Sequence, residues 1–485
     1  MKAQPAAQQT DWNQIRQHTI DLPGGRLYAD WTASGRLYRP IEERLIEEFG
    51  PWMANTHTED SLSGQFMTGV LQEAETMLRQ HVNAGERDVL LFAGNGMTGA
   101  LAKLIRMLGL WVHEQHRAAV LAQIPNRPLV YITHMEHHSN HTPWLETLAE
   151  VKVIPATETG EVDLAWLAED LQDQTGRPLL LASVTAASNV TGVAAPYRAI
   201  ASLLHQYQGY CLVDFACAAP YVDIDMHPAD EEPLDAVFFS PHKFLGGPGS
   251  SGVLVFNRGL YHNRVPDQPG GGTVLWTNPW GEHRYFDDIA ERESGGTPGV
   301  LQAIKAALAA QLKKEMGTAD MAHREQLLNQ VFFERLDECP GVQVLASHQR
   351  QRLSVFSLLF NQVHYSEAVQ QLSREWGIEA RGGCGCAGTY GHYLLDIDRA
   401  TSQRITSQLD QGDLSVKPGW VRLSFHPMMT VKDVERIADA VRAVSMPSGP
   451  THRKGKPGAS SRDQKRYSLT TAVSPSLVNA TASKS

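Results

Sequence analysis

The sequence predicts an α/β protein: a mostly parallel, doubly wound sheet followed by a smaller α+β domain. Three observations predict it. Between about residues 85 and 260, short apolar strands alternate with helical patterns. Residues 300–316 then form one long Ala/Leu-rich helical pattern that ends the alternation. Beyond it the order becomes helix, two strands, helix, strand, helix, strand, helix. Strands separated by helices of about 10–15 residues pair in parallel, because the crossover returns each strand to the same end of the sheet.

Taken in order, DVLLF (88–92) precedes the helical pattern MTGALAKLIRMLGL (97–110), and PLVYIT (128–133) precedes PWLETLAE (143–150). VKVIP (151–155), PLLLASV (178–184), YCLVDFA (210–216), DAVFFS (235–240) and SGVLVF (251–256) come next. Several are unbroken apolar runs, the pattern of strands covered on both faces. In the second domain VQVLA (342–346), RLSVFSLLF (352–360), GIEAR (377–381) and WVRLSF (420–425) read as strands. The expected organisation is an N-terminal extension (1–26), a large domain (27–316), a small domain (317–445) with 27–60 packed near it, and a tail (446–485). That tail is rich in Ser, Thr, Pro, Gly and basic residues with little to bury, the composition of a disordered segment.

Composition narrows the function classes. With 42% hydrophobic and 20% charged residues, the 485-residue chain has the make-up of a soluble globular protein with a core large enough for two or three domains. A net charge of −10 argues against nucleic acid as the main partner. No stretch approaches the roughly 18 apolar residues of a membrane span, and the N-terminus has no apolar signal core. Five cysteines (211, 217, 339, 384 and 386) are few and odd in number, which fits a reducing cytoplasm better than a disulfide framework.

In such sheets ligands bind at the carboxyl ends of the strands, so the polar residues just past each strand carry the function. After DVLLF comes GNGMTGA (94–100), a Gly-rich turn into a helix, whose free N–H groups at Gly96, Met97 and Thr98 form a cup for an anion such as phosphate. After PLVYIT comes HMEHHSNHTPW (134–144), with four histidines but no carboxylate or cysteine at zinc spacing, so no metal is expected there. A histidine stacked on a planar ring is the better reading. After YCLV comes Asp214, a buried carboxylate that needs a cationic partner. Then SPHKFLGG (240–247) puts Lys243 at the end of the apolar run LDAVFF. A lysine there is costly unless it is paired, neutral or covalently used. Anion cup, stacking histidine, buried aspartate and lysine together are what pyridoxal phosphate needs: Lys243 for a Schiff base, Asp214 to keep the pyridine nitrogen protonated.

These residues resemble the class V aminotransferase superfamily of fold-type I pyridoxal phosphate enzymes. Within it they are closest in motif to cysteine desulfurases and the desulfurase domain of molybdenum-cofactor sulfurase. LYADWTASG (27–35) matches the family's Tyr-Leu-Asp-x-Ala-Ala segment, and SNVTG (188–192) the segment whose Asn, here Asn189, approaches cofactor and substrate. EHHSNHTPW (136–144) implies that His137 stacks on the cofactor, and SPHKFLGGPGSSG that Ser240 and His242 bind its phosphate beside Lys243. GGTPG (295–299) implies a homodimer in which Thr297 reaches the neighbouring subunit's phosphate. ARGGCGCAGTYGH (380–392) resembles the desulfurase Arg-x-Gly-x-x-Cys loop, with Cys386 as nucleophile and Cys384 as the sulfurase pattern's extra cysteine. WVRLSF supplies Arg422 for the substrate carboxylate, with Arg381 a second candidate. One position departs: where the family has Gln three residues after the aspartate, this chain has Cys217.

The resemblance implies an enzyme that converts L-cysteine to L-alanine and hands the sulfur, as a persulfide on Cys386, to an acceptor protein. An aminotransferase or a C–S lyase acting on another amino acid, with Cys386 uninvolved, uses the same platform. A non-catalytic protein keeping the fold as a binding module is the third reading, and Lys243, Asp214 and His137 together argue against it.

Overall fold

In the computed structural model, which describes residues 10–56, 58 and 60–446, the alternating segment forms a seven-stranded sheet. Its strands are β1 (Asp88–Phe92), β2 (Leu129–Thr133), β3 (Glu150–Ile154), β4 (Leu180–Thr185), β5 (Tyr210–Asp214), β6 (Ala236–Phe239) and β7 (Val253–Asn257). Their order across the sheet is β1-β7-β6-β5-β4-β2-β3. Only β7 runs antiparallel to its neighbours, so the sheet is mostly parallel as expected.

Every residue of β2, β4 and β6 is buried, because helices cover both faces. Alternate residues feed opposite layers: Cys211 and Val213 of β5 join one core with Leu167, Leu171, Ile200 and Leu204, whereas Leu212 joins the other with Leu101, Leu104 and Trp144. Helix α1 (Leu62–His81) lies along α4 (Val300–Met316), which is buried almost all round. Ala303, Ala306, Ala307, Ala309 and Ala310 let neighbours approach its axis closely, which explains the Ala-rich run. Between them in sequence come α2 (Met97–Met107) and α3 (His138–Leu145).

A second sheet lies beyond α4, with strands β8 (Val342–Val344), β9 (Val355–Phe360), β10 (Arg381–Gly383) and β11 (Trp420–Ser424), antiparallel in the order β8-β9-β11-β10. Helices α5 (Thr318–Asp337) and α6 (Val431–Ser445) pack on each other. Phe332, Phe333, Phe356 and Phe425 form the aromatic centre, with ring centroids 4.6–5.4 Å apart. The N-terminal segment belongs with this sheet: Leu27–Tyr28 pairs with Ile378–Glu379, and Asp30 bridges to Ser424.

One element differs from the sequence reading. The helix after β2 occupies His138–Leu145 rather than 143–150. His137 caps it, its Nδ1 accepting the Ser139 N–H at 3.1 Å, so Pro143 falls inside the helix instead of at its first turn. No helix among the described residues is long and apolar enough to cross a membrane. The tail expected over 446–485 lies, except for Met446, outside the described residues.

Glu325 on α5 is 5% exposed and accepts the Ser354 N–H at 3.0 Å, and burial pushes its pKa up to about 7. The folded protein therefore holds a proton at Glu325 that the unfolded chain has released between its usual value of 4.5 and about 7. Stability from this group is full below that window and is lost as pH rises through it. Thermal melts of Glu325→Gln and the parent from pH 5 to 8 are expected to diverge in favour of the variant as pH rises, by on the order of 1–3 kcal/mol. Parallel curves would contradict the buried carboxyl.

Candidate active site

Parallel register brings the strand ends level: Thr185 pairs with Asp214, and Asp214 with Phe238. The residues just past each strand therefore share one rim, around a cavity of about 240 Å³. Met97, Thr98, His137, Asn189, Asp214, Ser240, His242 and Lys243 from the first sheet line it, facing Arg381, Cys386 and Arg422 from the second.

Lys243 closes a single helical turn, Pro241–Lys243, after β6. The glycines behind it are there for space: a Cβ on Gly247 would lie 1.8 Å from the Pro241 carbonyl oxygen. At the other end α2 begins. Met97 N–H donates to Ser240 Oγ at 2.8 Å, Thr98 and Ser139 hydroxyls pair at 2.8 Å, and His242 Nδ1 lies 3.0 Å from the Asn95 carbonyl oxygen. A Cβ on Gly96 would come within 2.8 Å of Ser240 Oγ and 3.0 Å of His242 Cε1. Glycine keeps this cup open.

The charges are buried with few mutual partners. Asp214 is 3% exposed, and its Oδ1 accepts the Ala216 N–H at 2.8 Å. No cationic side chain lies within salt-bridge distance of it among the described residues, so the partner expected from the sequence is not a protein group. Burial pushes its pKa up to about 6 against the pull of that N–H and Lys243. Burial likewise lowers the Lys243 pKa, opposed by Cys217 and Asp214. His137 is driven down to about 3, by burial first and then by Lys243, which leaves a neutral ring.

On the facing side Arg422, 4% exposed, donates from Nη2 to Asp30 Oδ1 at 2.9 Å and from Nη1 to the Asn189 carbonyl at 3.2 Å. Arg381, half exposed, pairs with the same Asp30 at 3.0 Å. Arg422 Nε and Asn189 Oδ1 are buried with no partner among the described residues. Those two orphaned atoms, the under-paired Asp214 and the open cup fit pyridoxal phosphate. Met97, Thr98, Ser240 and His242 would hold its phosphate, Asp214 its ring nitrogen, and Lys243 its aldehyde carbon.

The two loop cysteines are placed differently. Cys386 is exposed and lines the cavity; Cys384 is half-buried, packs against the core and does not line it. Cys217 is buried in the cavity wall, its Sγ 3.6 Å from the Ser188 carbonyl oxygen. Thr297 is exposed and lines no part of this cavity. The four histidines have separate tasks: His134 packs on Tyr390 and Tyr393, His137 faces the cavity, and His138 and His141 bond the segment after Cys386. Sequence reasoning missed Asp30 and His138. Asp30 left a signal, a lone carboxylate inside the otherwise uncharged segment LYADWTASG; His138 left none that separates it from its neighbours.

The fold and the cavity define a member of a known class. The sequence model of the family described as Aminotransferase class-V matches residues 27–437, and the chain belongs to that family. Among its relatives, a probable cysteine desulfurase of Streptomyces coelicolor is 26% identical over 366 residues, covering 74% of this chain and 83% of the relative. One from Halalkalibacterium halodurans is 26% identical over 369 residues, covering 74% and 84%. The cysteine desulfurase of Thermococcus onnurineus has the same fold, with a TM-score of 0.73 at 21% identity over 91% of this chain and 99% of that one. The Escherichia coli cysteine desulfurase CsdA superposes with a TM-score of 0.70 at 22% identity, over 90% and 98%.

Gly96→Ala is expected to weaken reconstitution of the cofactor-free protein with pyridoxal phosphate by about ten- to a hundredfold, since Ser240 and His242 must give way. An unchanged titration, followed by the absorbance of the bound chromophore, would contradict the cup.

Proposed function

We propose that this protein is a pyridoxal-phosphate-dependent cysteine desulfurase, with Cys386 as the sulfur acceptor of the first half-reaction. One observation carries the reading: an exposed thiol, on a loop of the second sheet, lines the same small cavity as Lys243 and Arg422.

Bound in the cavity, pyridoxal phosphate supplies an electron sink for negative charge at the substrate α-carbon. This chain's residues do the rest. Arg422 takes the substrate carboxylate, its guanidinium aligned by Asp30 and the Asn189 carbonyl. Asp214 would hold a proton on the ring nitrogen, and the cation so formed would lower the carboxyl's own pKa. His137, neutral and lining the cavity with Lys243, would cover the ring. Lys243 Nζ, its pKa lowered by burial, removes the α-proton and later returns a proton to carbon. The Cys386 thiolate attacks the substrate sulfur; the S–S bond forms as the C–S bond breaks, and the C–S electron pair ends on carbon. L-cysteine plus the Cys386 thiol thus gives L-alanine plus a Cys386 persulfide.

The same reading extends to partners and compartment. Thr297, exposed outside its own cavity, and a hairpin exposing Leu275, Trp276 and Trp280 support a homodimer in which Thr297 serves the neighbouring copy. The exposed Cys386 suits delivery of sulfur to an acceptor protein. Five unpaired cysteines suit the reducing cytoplasm.

Given L-cysteine, the cofactor-loaded protein is expected to release alanine and accumulate an alkylatable persulfide at Cys386. Cys386→Ala keeps the chromophore and loses alanine formation by on the order of 10³-fold or more, while Cys384→Ala retains most of it. Pyruvate formation untouched by Cys386→Ala would replace the desulfurase reading with a lyase; amino-group exchange with a ketoacid would replace it with an aminotransferase.

A further inference from the structure

We propose that His138 is a positioning residue for the nucleophile: it clamps the Cys386 loop from both sides, and does so only as a neutral imidazole. The consequence for turnover rests on the desulfurase reading; the clamp itself does not.

Cys386 needs holding. Its φ is +56°, in the left-handed region that residues with a Cβ avoid, and it comes after Gly385 at +61° and Gly383 at +112°. An exposed loop of this kind relaxes toward extended backbone unless neighbours fix it. The fixing bonds come from across the cavity. His138 N–H donates to the Cys386 carbonyl oxygen at 2.7 Å, and the Gly388 N–H donates to His138 Nε2 at 2.9 Å. One residue therefore binds the backbone at the cysteine and two residues beyond it, at the first turn of the helix Gly388–Leu394. Asn189 Nδ2 adds a bond to the Gly385 carbonyl at 2.6 Å, and His141 Nδ1 lies 3.2 Å from Thr389 Oγ1. His138 is itself fixed, at the first position of α3 behind the His137 cap, with Thr142 Oγ1 donating to its carbonyl at 3.0 Å.

The hydrogen bond assigns the tautomer. Because Gly388 N–H donates, Nε2 carries a lone pair and the ring proton sits on Nδ1. Protonation would turn the acceptor into a donor facing a donor, and the ring's half of the clamp would open, leaving only the bond from the His138 N–H. The groups facing the ring are His137 and His141 on its own helix, Lys417 from the segment before β11, and the Cys386–Gly388 backbone. Burial first, and then Lys417, lower the His138 pKa from its usual 6.5. The neutral, clamping form thus holds at neutral pH and is lost on acidification.

The test uses the holoenzyme with His138→Gln and His138→Phe. The Gln amide oxygen can accept the Gly388 N–H and does not titrate; Phe can do neither. Hydrogen exchange of the peptide spanning residues 384–391 is expected to stay slow in His138→Gln and to become fast in His138→Phe. Both should keep the bound chromophore. For L-cysteine, kcat of His138→Phe should fall by about a hundredfold with KM little changed. His138→Gln should keep most of kcat and lose the acidic fall of the pH profile. Unchanged exchange and kcat in His138→Phe, or a Gln variant that behaves like Phe, would overturn the proposal. Exchange that responds as stated, in a protein that makes no alanine, would uphold the clamp and overturn the desulfurase reading instead.

Discussion

The level ending of the parallel strands is the constraint on which the rest of this structure depends. With Thr185, Asp214 and Phe238 abreast, the residues just past β4, β5 and β6 must converge on one small volume, and many of them are charged or polar. Among the described residues Arg422 and Arg381 share the Asp30 carboxylate, while Lys243 and Asp214 form no ion pair. Moving such groups out of water is expensive, and their mutual pairing is incomplete. The excess is positive, and it sits beside a helix N-terminus. That balance suits the phosphorylated cofactor and amino-acid carboxylate of the proposed reading. Desolvation of Lys243 and Asp214 costs stability, and on the proposed reading it is also the means of tuning them.

The second sheet is brought to this rim by the N-terminal segment. Asp30 is the joint: its backbone bridges to Ser424, the neighbouring Thr32 N–H donates to Ser424 Oγ at 2.9 Å, and its carboxylate holds both arginines. Trp31 packs on His426 with ring centroids 4.5 Å apart. A residue far from Arg422 in sequence thus sets the direction of its guanidinium. An arginine left unpaired at 4% exposure would be a liability; one paired on both Nη nitrogens and free at Nε is aligned yet still able to bind.

The legible part of the sequence came from burial. Apolar runs without alternation could only be covered strands, and a Lys or Asp directly after such a run had to be explained by a partner. Hence Lys243, Asp214 and the Gly96 turn were readable, and so was the sheet. Pairings between residues hundreds of positions apart, such as Asp30 with Arg422, leave no local trace. The start of α3 was misplaced because Pro143 is a strong helix-start signal and a histidine cap at His137 is a weak one. Nothing local distinguishes His138 from the three histidines around it; only the loop arriving from the second sheet gives its ring a task.

Environment also distinguishes Cys217, Cys384 and Cys386. Cys217 lies within the field of Lys243 and Arg422, which favours a thiolate, but burial outweighs both and holds its pKa up near 11. It remains a neutral thiol pointing at a carbonyl, a small polar filler where the family has an amide. Cys384 is drawn into the core and away from the cavity. Cys386 alone of the three combines exposure, a place in the cavity lining and a backbone held against its own preference. On the proposed reading, reactivity is a matter of where the thiol is placed and how firmly, and the two sheets supply that placement jointly. On the proposed reading, the lysine that withdraws the substrate proton follows a strand of the first sheet and the thiol that receives the sulfur follows a strand of the second.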